Sequence, residues 1–222
     1  MRPMILIATG FILLLGDNAC GAKVSSSPIH SAAPTLGECA TDGYESYLGT
    51  GGAIPDGNVD GVTFGPVSTV DDGQSISDAV LNAGVTHPWV GDLNLDLSYD
   101  VTCDGQPDMV VRVLCRPNHT SCGGTSGFGC SDPLDGDYRF SDDGTSLVSE
   151  DCGSGTQPSG CYAPYEALSA FEGMAKGGCF RLVASDNASF DVGLVGAWTV
   201  WLASSAQTPT LPVSWGRIKA SF

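Results

Sequence analysis

Positive charge is scarce in this chain of 222 residues: nine Lys and Arg stand against 25 Asp and Glu, a formal net charge of −16. Binding a polyanion requires a cationic face, so nucleic acid and anionic membrane surfaces are poor partners. Histidine is scarce too, with three residues at 30, 87 and 119. They are scattered and no Cys-x-x-Cys pair occurs, which argues against a thiolate zinc site. The sequence has no Gly-x-Ser-x-Gly elbow, phosphate loop or dinucleotide fingerprint, so the enzyme classes built on those motifs find no support. Outside the N-terminus no apolar run approaches the ~20 residues of a membrane-spanning helix.

Glycine, by contrast, is abundant, with 30 residues and 13 Pro spread along the whole length. Interleaved with apolar residues, they predict many turns and short strands rather than disorder. At the N-terminus, Arg2 precedes the apolar run Met4–Leu15, 12 residues long. Such a run is short for a bilayer but suits a secretory signal over residues 1–22, cleaved after Gly21 or Ala22. The competing reading is a lipoprotein signal with Cys20 as the lipidated residue, although Asp17 and Asn18 fit its usual pattern poorly. Either way the chain is expected to be exported, secreted or held at the cell surface or in the periplasm. Residues 23–38 are rich in Ser, Pro and Ala and read as a flexible spacer.

Setting Cys20 aside, eight of the nine Cys remain: Cys39, Cys103, Cys115, Cys122, Cys130, Cys152, Cys161 and Cys179. An even count in an exported chain predicts up to four disulfides. Five of them fall in the Gly/Ser-rich stretch 115–161, a segment with too few apolar residues to order itself by burial. Spacing leaves the connectivity open, with Cys152–Cys161 as the first local pairing to expect.

Two blocks carry the strongest pattern. In Thr86–Leu97 the residues Leu93, Leu95 and Leu97 alternate with Asp92, Asn94, Asp96 and Ser98, the period of a strand with one buried and one wet face. On that reading Asn94 faces water and tolerates Asp, whereas Leu95 does not. In Gly178–Leu202, Phe180, Leu182 and Ala184 alternate, and after a turn over Asp186–Gly193 so do Trp198, Val200 and Leu202. Trp198 then points inward and Trp201 outward. Strands are predicted at Gly61–Val70, Ser77–His87, Asp92–Tyr99, Met109–Cys115, Tyr138–Phe140, Cys179–Ser185 and Ala197–Ala203. Their number and turn spacing fit a sandwich better than a parallel α/β sheet.

These blocks resemble the P domain, or Homo B domain, a β-sandwich module found beside subtilisin-like proprotein convertases. His87, Gly91, Asp92, Leu93, Leu95 and Leu97 match its first signature. Gly178, Phe180, Leu182, Asp186, Gly193, Trp198 and Val200 match its second, with Phe180 where the family usually has Trp. Between them, Phe140-Ser141-Asp142 and the series Tyr162, Pro164, Leu168, Phe171 and Gly173 match in order, as does the opening Ile54-Pro55-Asp56. The resemblance implies an all-β, antiparallel β-sandwich of the jelly-roll, galactose-binding-like kind over residues 39–203, rich in disulfides. Leu168, Phe171 and Ala175 fall at helical spacing in Tyr165–Lys176, but the resemblance implies instead an irregular segment there whose Phe171 plugs the core. Residues 204–222 form a C-terminal extension or an added edge strand.

The same resemblance implies a non-catalytic module that stabilises or regulates a protease and often binds calcium. The expected partner is a separately encoded secreted protease. The subtilisin domain with its Asp, His and Ser is not in this sequence. The tripeptides Gly124-Thr125-Ser126 and Gly144-Thr145-Ser146 lack the helix that presents such a Ser and read as turns. Asp92 and Asp186, at loop-bearing strand ends, are the first calcium candidates, followed by Asp142 and Glu172. Calcium suits carboxylates and loop carbonyls in flexible geometry, while turn capping is the competing role of such Asp residues. His87 is expected to make a structural hydrogen bond. An alternative function is an adhesin that binds glycan or protein through exposed aromatics, Trp201 foremost.

Overall fold

A computed structural model describes residues 39–206, apart from 125, 126 and 151. The signal segment, Cys20, the spacer, most of the C-terminal extension and the Thr125-Ser126 pair lie outside the described residues. Nine strands form two packed sheets: β1 (Glu45–Ile54), β2 (Val62–Ser68), β3 (Gln74–His87), β4 (Leu93–Asp100), β5 (Met109–Cys115), β6 (Leu134–Phe140), β7 (Gly160–Tyr162), β8 (Cys179–Asp186) and β9 (Gly193–Ala206). One sheet has the order β1-β9-β3-β6-β7 and the other β2-β8-β4-β5. Every pairing is antiparallel except β6 with β7. The expected all-β sandwich is therefore what forms, with seven predicted strands matched and two more, β1 and β7, added. No helix among the described residues is long and apolar enough to cross a membrane.

The alternating apolar residues become the core. Leu93, Leu95, Leu97 and Tyr99 of β4, with Phe180, Leu182 and Ala184 of β8, face Leu81, Ala83 and Val85 of β3 and Trp198, Val200 and Leu202 of β9, all of them buried. The predicted plug is also present. A short 3-10 turn, Leu168–Phe171, inserts Phe171 beside Tyr99 and Phe180, with ring centroids 6.3 and 5.5 Å away. Edge-to-face contacts of this kind add to the burial energy of the rings.

Four disulfides form: Cys39–Cys161, Cys103–Cys179, Cys115–Cys122 and Cys130–Cys152. They point to an oxidising environment, extracellular or periplasmic. The expected Cys152–Cys161 pairing is not made. Cys161 lies on β7, where strand pairing with β6 directs it to Cys39 at the other end of the described chain. Around that bridge sits a second small apolar cluster of Cys39, Val80 and Cys161, with Tyr44 and Trp201 packed against it. The outward face of β9 at Trp201 is thus partly covered around the Cys39–Cys161 bridge.

The outer face of β4 also departs from the alternating reading. Asn94 and Ser98 are buried there, and Asp96 pairs with Arg112 at 2.7 Å. For Asn94 the cause is the Cys-rich loop after β5. It folds back so that Asn94 Nδ2 donates to the Cys122 carbonyl at 2.9 Å, and across β8 to Ser185 Oγ at 3.3 Å. Asn94→Asp replaces both donors with a buried carboxylate. It is expected to cost about 1–3 kcal/mol, the penalty for unsatisfied buried polar groups. Urea unfolding measures this, and wild-type stability in the variant would mean that the face is open to water.

Candidate functional site

The strands end together at one edge of the sandwich. β3 finishes with His87, β8 finishes with Asp186, β4 starts just after a 3-10 turn Val90–Asp92, and β9 starts at Gly193, two residues after Asp191. Antiparallel pairing sets this geometry. Thr86 of β3 is opposite Leu194 of β9, and Leu93 of β4 is opposite Asp186 of β8. The Asp92 carbonyl accepts the Asn187 backbone N–H at 2.8 Å, which ties the two sheet-ending turns together.

Gly193 lets the cluster close. A Cβ there would stand 2.4 Å from His87 Cδ2, so only glycine leaves room for the imidazole. Gly91 has a similar role one turn away. Its Cβ would lie 2.2 Å from the Cys130 backbone nitrogen, where the Cys-rich loop crosses the 3-10 turn.

Into this closed end project four side chains with buried polar atoms that have no hydrogen-bond partner: His87 Nε2, Asp92 Oδ1, Asp186 Oδ2 and Asp191 Oδ1. His87 Nε2 lies 3.6 Å from Asp186 Oδ2 and 3.5 Å from Asp191 Oδ1. His87 and Asp186 are fully enclosed, and Asp191 is 18% exposed. Asp186 keeps its other oxygen on the Ala188 N–H at 3.1 Å, a turn-capping bond of the kind that competes with the calcium role. Asp92 Oδ1 is 3.6 Å from Nη2 of Arg116.

Burial of so many acids in one place perturbs them. Burial first, then the neighbouring Asp191 and Asp186 charges, pushes the Asp92 carboxyl up to about 6, although Arg116 and His87 oppose the shift. Burial likewise raises the Asp191 carboxyl, with Asp186 and Asp56 adding to the shift and His87 opposing it. Buried carboxylates without full hydrogen bonding favour either a proton or a cation.

Arg116 is the cation that the sequence reading missed. It is completely buried, and its guanidinium donates to the carbonyls of Gly91 at 3.0 Å, Gly124 at 2.6 Å and Gly127 at 2.8 Å. One side chain thereby moulds the Cys-rich loop onto the 3-10 turn and sets a positive charge beside Asp92.

Of the four expected calcium residues, the structure brings Asp92 and Asp186 together and places the other two elsewhere. β6 runs against β3 with Leu134 opposite His87 and Phe140 opposite Leu81. Asp142, beyond Phe140, is therefore about 20 Å away at ~3.3 Å per residue. Its two carboxylate oxygens accept the Leu168 and Ser169 N–H groups, both at 2.8 Å, so it fixes the plug turn. Glu172 follows that turn, next to Gly173, whose N–H bonds to Ile76 near the start of β3. That is roughly 36 Å from His87 on the same rise per residue. The expected set of four carboxylates thus does not form one cluster.

Asp191 and His87 complete the group instead. In the sequence Asp191 is one of several polar residues in a turn without periodicity. Only pairing β9 with β3 shows that its loop must end beside His87. His87 does make the expected structural bond, with Nδ1 2.9 Å from the Trp89 carbonyl.

A scan of known protein families finds no matching family model, and a search of curated proteins finds no match.

Proposed function

We propose that this chain is an exported, non-catalytic binding or stabilising module, of the P-domain kind, whose loop-bearing end holds a divalent cation. The partner implied by the resemblance is a separately encoded subtilisin-like secreted protease. The observation that carries the cation reading is the convergence of four unpartnered buried polar atoms, three of them carboxylate oxygens, at one end of the sandwich. A cation there would satisfy oxygens that otherwise face one another, and it would lock together the ends of β3, β4, β8 and β9. Calcium is the ion that the resemblance implies, and carboxylates with loop carbonyls are its usual ligands. Trp201, the foremost residue of the glycan-binding alternative, is partly buried against the cluster of Cys39, Val80 and Cys161, which favours the cation-holding reading over it.

The reading predicts cation-dependent stability. A ligand bound only by the native state raises stability with its free concentration. Millimolar divalent cation should therefore raise the Tm of the disulfide-bonded protein and EDTA should lower it. Asp186→Asn should abolish the difference. A Tm indifferent to EDTA and to added cation would leave Asp92, Asp186 and Asp191 as purely structural residues. The partner role is tested separately, by incubating the protein with secreted subtilases and following their activity and thermal inactivation.

A further inference from the structure

The ion that the site selects can be read from its one nitrogen donor, an inference that rests on the cation-holding reading above. His87 Nδ1 lies 2.9 Å from the Trp89 carbonyl oxygen. The Trp89 backbone N–H also points at Nδ1, at 3.2 Å, so the tautomer decides which of the two contacts is a hydrogen bond, and a proton on Nδ1 makes it the one to the carbonyl. An imidazolium wedged between two carboxylates would draw them to about 2.7–2.9 Å, the length of charge-assisted hydrogen bonds. The observed separations are 3.5 and 3.6 Å, too long for such bonds. With the ring proton on Nδ1, His87 presents a bare Nε2 lone pair to Asp186 and Asp191. A backbone carbonyl holding the far ring N–H is also the usual support of a metal-binding histidine.

We propose that His87 Nε2, Asp186 Oδ2 and Asp191 Oδ1 form a three-ligand site for a divalent transition ion, zinc first among them, rather than for calcium. The three ligand atoms lie within 4.8 Å of one another. Bonds of 2.0–2.2 Å in a tetrahedron put ligand atoms about 3.3–3.6 Å apart, matching the two His87 separations. Calcium, which takes 6–8 oxygen ligands, has little use for an imidazole nitrogen. Charge agrees as well: two carboxylates and a neutral imidazole balance a dication, while Asp92 is matched by Arg116 at 3.6 Å. Asp191, the one partly exposed ligand, marks the side on which a water or a partner's side chain would take the fourth position.

The test compares ions on the full-length, disulfide-bonded protein after chelation. Zinc and calcium are titrated separately by calorimetry and by Tm, and cobalt is added as a spectroscopic stand-in. The expected result is one zinc per chain, a Tm rise larger than calcium gives at equal concentration, and the strong visible absorption of four-coordinate cobalt. Asp191→Asn, which alters the least buried ligand, should weaken zinc by more than about tenfold, since loss of even an outer-shell partner costs 10–100-fold. His87→Gln should do the same, but the ring is fully buried, so its replacement perturbs folding as well as binding. Asp191→Asn with a wild-type circular dichroism spectrum is therefore the deciding variant. Zinc binding unchanged in that variant would place the metal elsewhere and overturn the assignment. A Tm that responds to calcium and not to zinc would also overturn it, while leaving the cation-dependent module standing. No response to either ion would sink both.

Discussion

Trp198→Ala should lower the unfolding free energy by about 3–5 kcal/mol, the usual cost of truncating a buried aromatic side chain. Trp198 is the largest fully buried side chain of the sandwich. Its ring lies over Gly49 of β1, where a Cβ would stand 2.1 Å from the ring atoms, and its Nε1–H donates to the Thr50 carbonyl at 3.2 Å. The variant thus opens a cavity across the β1–β9 pairing and also removes that hydrogen bond. Leu95→Asp, on the facing sheet, should be worse, because it buries a carboxylate among apolar core residues. Urea midpoints under non-reducing conditions measure both. If Trp198→Ala cost less than about 1 kcal/mol, well under the usual range, β1 could not be sealing the core through that ring.

Period-2 alternation made the inner strands legible because each shows water only one of its faces. Leu93, Leu95 and Leu97, then Phe180, Leu182 and Ala184, then Trp198, Val200 and Leu202 all reach the core as their spacing implies. β1 escaped this reading for a physical reason. It is an edge strand, Glu45–Ile54, with four exposed or half-exposed residues before Gly49 and a Gly-rich middle that lets the Trp198 ring approach. Its apolar Leu48 even faces outward, 69% exposed. β7 has three residues, too few to show a period. Asn94 was misassigned because alternation tells which face a residue is on, not what later covers that face. The candidate site divides in the same way. Asp92 and Asp186 are marked by their place at strand ends, whereas His87 and Asp191 join them only through the β3–β9 register. Arg116 leaves no sequence signal, since a buried arginine is defined by the carbonyls that a folded loop offers it.

Disulfide connectivity was the least legible feature and carries the other large expected effect. None of the eight described Cys should alkylate in the denatured, unreduced protein, since all are paired. Removing the bridges one at a time, as paired Cys→Ala variants, should rank them by the length of chain each closes. The bridges join residues separated by 122 (Cys39–Cys161), 76 (Cys103–Cys179), 22 (Cys130–Cys152) and 7 (Cys115–Cys122) positions. Loop-closure entropy then gives losses of about 4.9, about 4.5, about 3.4 and about 2.4 kcal/mol in that order. Native contacts reinforce the top of the ranking, because Cys39 also anchors Arg139 through its carbonyl at 2.9 Å and supports Trp201. They work against the bottom of it, because the short Cys115–Cys122 bridge holds the carbonyl that covers Asn94. Urea unfolding of the four variants decides between these influences. If loss of Cys115–Cys122 proved as costly as loss of Cys39–Cys161, the bridges would act mainly by positioning the native loop over β4 and not by restricting the unfolded chain.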